Sequence, residues 1–276
     1  MKPVFPLFLA ALVATLPLRA WGDAGHRVVA GLSLRTLPPQ MAPWFEGQEA
    51  FVREHASDPD RWKAHDRKEG PRHYLDVEVY GRAEDIPRDV QAAMRLLGPK
   101  AFQKAGLAPW IIQDRLRDLV EAFKARDRRQ VVFLTAVLGH YVADVHVPLH
   151  CARNHNGQES GQRGVHARWE SGLLGRFLRE DELQARPAER ERGLYEAPWR
   201  WVAESNALMP ALLDADREAD RTTPVDGQRP RRGTAYWMVF WNRQGDTLKL
   251  QLERAAQRTG QLVRYAWELA GAPKAP

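Results

Sequence analysis

Between Leu138 and His150 the chain reads LGHYVADVHVPLH, which sets three histidines and an aspartate into an otherwise apolar stretch. His140 and Asp144 are four residues apart. Residues at that spacing share one face of an α-helix, so this imidazole and carboxylate can grip a single cation together. His150 follows His140 by ten residues, roughly 80° round a helix of 3.6 residues per turn, and lies beyond Pro148. It can therefore reach a neighbouring cation rather than the same one. The segment VHARWE repeats the device, with His166 and Glu170 again four apart. Two such pairs on facing helices make a metal site in the core of a bundle. Upstream, ASDPDRW offers Asp58 and Asp60, PRHYLDVE offers His73, and WGDAGH puts His26 five residues after Trp21.

Each piece alone is weak. A histidine on an apolar helix is more often a hydrogen-bonded core residue, and a His-x3-Asp pair can be a surface ion pair. The set argues otherwise, because burying this many carboxylates and imidazoles without a cation costs on the order of several kcal/mol per ion. Imidazole and oxygen ligands with no thiolate among them suit zinc ahead of manganese or iron.

In order and spacing these residues resemble the superfamily that unites the plant and fungal type I, single-strand-specific zinc nucleases with the bacterial zinc-dependent phospholipases C. The resemblance rests on Trp21-x4-His26, Asp58 with His73, the His140-x3-Asp144-x5-His150 segment with its Pro-Leu-His ending, and His166-x3-Glu170. It implies a trinuclear zinc cluster at the bottom of a cleft. Asp58, His73, His140 and Asp144 would hold one zinc; His150, His166 and Glu170 a second. The third would take the amine and carbonyl of Trp21, His26 and the other oxygen of Asp144. Asp60 is the alternative to Asp58. In this family's chemistry a hydroxide shared by two zincs attacks phosphorus, since zinc lowers the pKa of bound water from about 16 toward ~7. The nuclease branch has an arginine three residues after its aspartate ligand that steadies the phosphorus, and Arg61 stands three residues after Asp58.

The resemblance therefore points to a hydrolase acting on phosphoric diesters, first of all an endonuclease on single-stranded DNA or RNA. Trp21-x4-His26, the long Asp-to-His spacing and Arg61 favour the nuclease branch. Glu170 in place of aspartate and the short loop from His150 to His166 favour phospholipase C. A non-catalytic protein that keeps zinc for stability is a third reading, disfavoured because the second zinc has three protein ligands where a structural site usually has four. Single-strand binding needs aromatic platforms; Trp62, Tyr74, Trp169 and Trp199 are the candidates, with Tyr74 beside His73. A phospholipase would want an exposed apolar tip, for which Ala108–Trp110 is a candidate. His155 reads as a rim residue and His146 as a packing residue. Nothing in the sequence implies a stable protein partner.

These ligands need rigid elements, and the chain supplies helices. Val28–Leu37, EAFVREHA, RDVQAAMRLLG and WIIQDRLRDLVEAFKARD carry apolar residues at helical spacing. RQVVFLTAVLGHYVADVH predicts a buried helix that Pro148 bends or ends. A long helix is expected from Tyr236 onward, after a polar, Pro/Arg-rich loop, DREADRTTPVDGQRPRRGT. No alternating run is long enough for a sheet, so the expected fold is all-α, a single domain of packed helices with long polar loops. MKPVFPLFLAALVATLPLRA reads as a secretory leader cut after Ala20, leaving residues 21–276 as the zinc-dependent domain, secreted or periplasmic and without a transmembrane segment. Removing Lys2 and Arg19 with it takes the formal charge from +6 to +4, compatible with an anionic substrate. With Cys151 as the only cysteine, an exported chain has no internal disulfide, and packing or metal must stabilise it.

Overall fold

Asp127 starts the central helix by accepting a hydrogen bond from the Gln130 amide at 3.0 Å, a cap that satisfies an otherwise orphaned helix donor. From there VVFLTAVLGHYVAD runs to Asp144, where the helix stops, buried throughout except for the half-buried Phe133 and Leu134. The computed structural model describes residues 22–223 and 232–276. The expected leader and Trp21 lie outside the described residues. In chain order the helices are α1 (Gly22–Thr36), α2 (Ala42–Phe45), α3 (Glu49–His55), α4 (Asp58–Trp62), α5 (Val90–Leu97), α6 (Pro99–Ala105), α7 (Ala108–Lys124) and α8 (Arg128–Asp144). After the site loops come α9 (Val165–Ala167), a π-helical turn over Arg168–Leu173, α10 (Leu174–Phe177), α11 (Ala197–Asn206), α12 (Met209–Asp220) and α13 (Thr234–Leu269). Among the described residues no strand forms; one isolated antiparallel bridge joins Leu75 and Gly106. The all-α expectation holds.

The packing is centred on α8. It lies against α7, α3, α1 and α13, and α13 in turn packs on α1, α7 and α12. One core cluster gathers Ile112, Leu116, Leu119 and Phe123 of α7 around Val131, Val137 and Leu138 of α8. A second lies between α1, the π-helical turn and α13. Gly260 lets α13 approach α1 closely, since a Cβ there would fall 1.9 Å from Thr36 Oγ1.

Two polar clamps from the C-terminal half grip the segments that carry the candidate ligands. Gln251 of α13 donates to the His146 carbonyl at 2.6 Å and to Ser205 Oγ at 3.0 Å, and Ser205 donates to the Val145 carbonyl at 2.7 Å. Arg168, in the π-helical turn, makes a buried ion pair with Asp216 of α12 at 2.9 Å, and Tyr236 of α13 also bonds Asp216. Asp216 to Asp220 were expected in a loop and are helical. The charged pattern misled because Asp216 is buried against Arg168 while Arg217 pairs with Asp214 one turn back. The Ala108–Trp110 tip is also corrected: Trp110 is buried, its indole N–H held by the Arg88 carbonyl at 2.8 Å.

Candidate metal centre

Pro148 lacks an amide hydrogen and begins a 3₁₀ turn, Pro148–Cys151, that swings His150 back over the end of α8. His140 and Asp144 occupy the last turn of α8, one above the other. His26 comes from α1, Asp60 from α4, and His73 from the end of a 3₁₀ turn, Gly70–His73. His166 sits in α9 and Glu170 in the π-helical turn, a wide-turn insertion of the kind that recurs at functional sites. Three groups of donor atoms result, each within 4.8 Å: His26, Asp60 and His140; His73, His140 and Asp144; His150, His166 and Glu170.

Asp144 is the hub. Its Oδ2 lies 2.8 Å from His73 Nδ1 and 3.2 Å from His140 Nε2. Its Oδ1 faces His150 Nδ1 at 3.3 Å and His26 Nε2 at 3.7 Å. Burial works to raise the pKa of this carboxyl, yet the imidazoles of His140, His150 and His73 hold it well below the usual carboxylate range. Burial, then His140, pulls His26 down to about 3, so its ring is neutral and able to ligate. Burial opposes ionisation of His166 too, but Glu170, 2.8 Å away, raises it.

The outer ring nitrogens show how the inner ones are presented. His140 Nδ1 lies 2.8 Å from the Ala56 carbonyl, and His150 Nδ1 lies 2.8 Å from the His73 carbonyl. A carbonyl only accepts, so both Nδ1 atoms carry hydrogen and, in the neutral ring, both Nε2 atoms offer a lone pair inward. There His140 Nε2 meets His73 Nδ1 at 3.0 Å, and His150 Nε2 meets His166 Nε2 at 3.1 Å. Nitrogens facing each other this closely need a proton or a cation between them. His26 Nδ1 is buried with no hydrogen-bond partner among the described residues. A donor set of five imidazoles and three carboxylates, arranged this way, fits zinc.

These groups floor a cavity of about 610 Å³, a size that suits a small ligand or part of a chain. All of the named donors except His140 line it, together with Lys63, Gly70, Pro71, Tyr74, Asp76, Lys104, Leu149 and His155. Among the four aromatic platforms considered, only Tyr74 does so. Trp169 and Trp199 are buried, and Trp62 packs on Phe133. His146 is buried as a packing residue, bonded to the Val142 carbonyl and to Arg258. Cys151 is buried, and burial pushes its thiol well above the usual range.

Two expectations are corrected here. Asp60, rather than Asp58, stands among the donors; Asp58 Oδ2 is 2.6 Å from His55 Nδ1, and its Oδ1 is 2.6 Å from Arg61. At about 100° per residue, two positions apart point to nearly opposite sides of a helix, so α4 can offer only one of them to α8. Arg61 goes with Asp58: half its side chain is exposed, and it reaches Asp58 and Asp23 rather than the cavity. The cation three residues after Asp60 is Lys63, whose Nζ is 2.6 Å from Asp60 Oδ1. Lys63 and Lys104 were missed for want of a signal beyond spacing. Trp21, expected to chelate through its amine, lies outside the described residues; Gly22, next in the chain, starts beside Ser171 of the π-helical turn.

Asp76 was also missed. Burial, reinforced by Glu78, raises its pKa to about 6. A carboxyl whose folded pKa exceeds its unfolded value of 3.8 destabilises the fold as it ionises: the penalty is absent below pH 3.8, grows up to about pH 6, and is complete above. In zinc-stripped protein Asp76→Asn is therefore expected to raise stability by about 1–2 kcal/mol at pH 7.5 and by nothing at pH 3.5. Urea titrations at the two pH values measure this; equal gains at both would remove the electrostatic explanation.

Among the described residues no helix is long and apolar enough to cross a membrane. No curated protein sequence matches the chain. The S1/P1 Nuclease family matches residues 21–183, more than half of the sequence and the whole of the three ligand groups. On that match and this donor geometry, the chain belongs to the S1/P1 nuclease family and is a zinc-dependent hydrolase of phosphodiester bonds.

Proposed function

We propose that the protein is an exported endonuclease for single-stranded DNA or RNA. His26, Asp60, His73, His140, Asp144, His150, His166 and Glu170 are the zinc ligands in this reading, and cleavage after Ala20 frees the Trp21 amine to act as one more. The observation that carries the proposal is the recess itself: donors, all but Asp60 and His166 buried, on the floor of a cavity with Tyr74, Lys63 and Lys104 on its walls. A phosphodiester reaches such a floor when its bases can splay away from a partner strand, and an aromatic ring beside it gives one of them a stacking surface. Zinc bound there supplies Lewis-acid polarisation of the phosphate and a lowered pKa for water.

The chain's own residues do the rest. The carbonyls of Ala56 and His73 fix the tautomers of His140 and His150, so Nε2 is the atom each ring presents to the metal site. Lys63 brings a positive charge to the cavity wall, where it can neutralise a phosphate oxygen. Tyr74 is held by its hydroxyl to the Lys104 carbonyl at 3.2 Å, which orients the ring. The burial of Trp110 leaves the phospholipid reading without the exposed tip it called for.

Processed protein is expected to cut a single-stranded oligonucleotide, to lose that activity on chelation and to regain it with zinc. Zinc-loaded protein that leaves the oligonucleotide intact, while hydrolysing a phospholipid headgroup, would overturn the substrate assignment. Within the nuclease reading, Lys63→Ala should lower kcat by about 100-fold, the lower end of what loss of one transition-state contact costs. Arg61→Ala should stay within about 2-fold, because an exposed ion pair contributes little. Steady-state kinetics on one oligonucleotide compares the two, and a reversed order would return the role to Arg61.

A further inference from the structure

Glu69 is a carboxylate only 1 % exposed, four residues before His73, and the metal centre as described does not use it. Burying an ionised carboxylate costs several kcal/mol unless the site repays it with charge and hydrogen bonds. Here three groups converge on it. Tyr141 donates its hydroxyl to Oε1 at 2.5 Å, and Arg72 donates to Oε2 at 2.6 Å. His73 Nε2 stands 3.3 Å from Oε1, within ion-pair range though not aligned as a hydrogen bond. An ion pair with Arg72 alone could have been made at the surface, where Arg72 is a third exposed. The inward turn of Glu69 is explained by what lies behind it: the outer nitrogen of an imidazole whose inner nitrogen faces Asp144 and His140.

We infer that Glu69, locked in place by Tyr141 and Arg72, is the positioning residue that holds the outer edge of the His73 ring by its charge, sets the ring orientation and makes the inner nitrogen a stronger donor toward zinc. It touches neither the substrate nor the cation. His140 and His150 have backbone carbonyls on their outer nitrogens; His73 has a charged group instead, and a carboxylate behind an imidazole makes the inner nitrogen the stronger donor. Tyr141 follows His140 directly in α8, so one helical turn supplies a ligand and the hydroxyl that anchors the carboxylate behind another.

This inference rests on the zinc-centre reading, and its test separates the two. Wild-type protein, Glu69→Gln and Tyr141→Phe are loaded with zinc, their metal content is measured, and release to a chromophoric chelator is followed. Melting of the stripped proteins reports the fold separately. Glu69→Gln keeps the side-chain volume, and its stripped form should melt as a folded protein. Its weakest zinc should be lost with about 10–100-fold lower affinity than in wild type. Tyr141→Phe, which leaves the carboxylate and removes one anchor, should show a smaller loss of the same kind. Folded Glu69→Gln that holds zinc as tightly as wild type would overturn the inference while leaving the zinc centre standing. Should Glu69→Gln fail to fold, Tyr141→Phe decides: weaker zinc in a folded protein supports the role, and unaltered release overturns it. Wild-type protein that takes up no zinc would overturn the centre and this inference with it.

Discussion

Asp144→Asn is expected to abolish most turnover, lowering kcat/KM on a single-stranded oligonucleotide by about 1,000-fold or more. The carboxylate offers one oxygen to His73 and His140 and the other to His26 and His150, so among the described residues it is the one side chain that touches four of the five imidazoles. An amide of the same shape removes the negative charge and turns one of those oxygens into a donor facing lone pairs. Metal-ion catalysis is worth several kcal/mol of transition-state stabilisation, and about 4 kcal/mol corresponds to a factor of ~1,000. Zinc content measured on the same preparation should fall as well, while far-UV circular dichroism keeps its helical form, because the packing of α8 rests on its apolar residues. A variant with a full complement of zinc and more than a tenth of wild-type activity would show that Asp144 is not the hub described.

Gly106→Ala should be among the most destabilising single substitutions outside the ligand set. Gly106 lies between α6 and α7 at φ +92°, a backbone conformation that L-residues rarely adopt. A Cβ there would fall 2.1 Å from the Tyr74 carbonyl oxygen and 2.6 Å from its carbon. Those are backbone atoms, and they cannot swing aside as the end of a side chain would. The Tyr74 carbonyl also accepts from the Ala108 amide at 3.2 Å, at the start of α7. Backbone strain costs about 1–3 kcal/mol and overpacking a similar amount, giving about 2–6 kcal/mol together. For a chain of this size that is a fall in Tm of about 10 °C. Relief of the clash would move Tyr74 and the adjoining His73, whose carbonyl orients His150, so zinc affinity should fall too. Gly47→Ala is the control: φ is +70° but nothing lies within 4 Å of the added carbon, so strain acts alone. If the two variants melt together, the collision with Tyr74 is not what matters.

Much of this was legible in the residues. Helical spacing showed the apolar faces of α7 and α8, and Pro148 marked the break after Asp144, because periodicity and a missing amide hydrogen are local properties. The pairs His140 with Asp144 and His166 with Glu170 were legible for the same reason: four residues on one helix always share a face. The choice between Asp58 and Asp60 was not. Both sit in α4, and only the direction in which α4 packs on α8 decides which carboxylate meets His140 and which turns to His55. That choice carried Lys63 into the cavity in place of Arg61. Glu69 was silent because a glutamate in a charged loop reads as solvated until Tyr141 and Arg72 are seen to enclose it. Which residues could bind a cation, and which helices carry them, could be read locally, since side-chain chemistry and helical period are written in neighbouring positions. Which carboxylate faces inward, which lysine reaches the cavity and what stands behind each imidazole could be read only from the folded chain, because these depend on contacts between segments far apart in sequence.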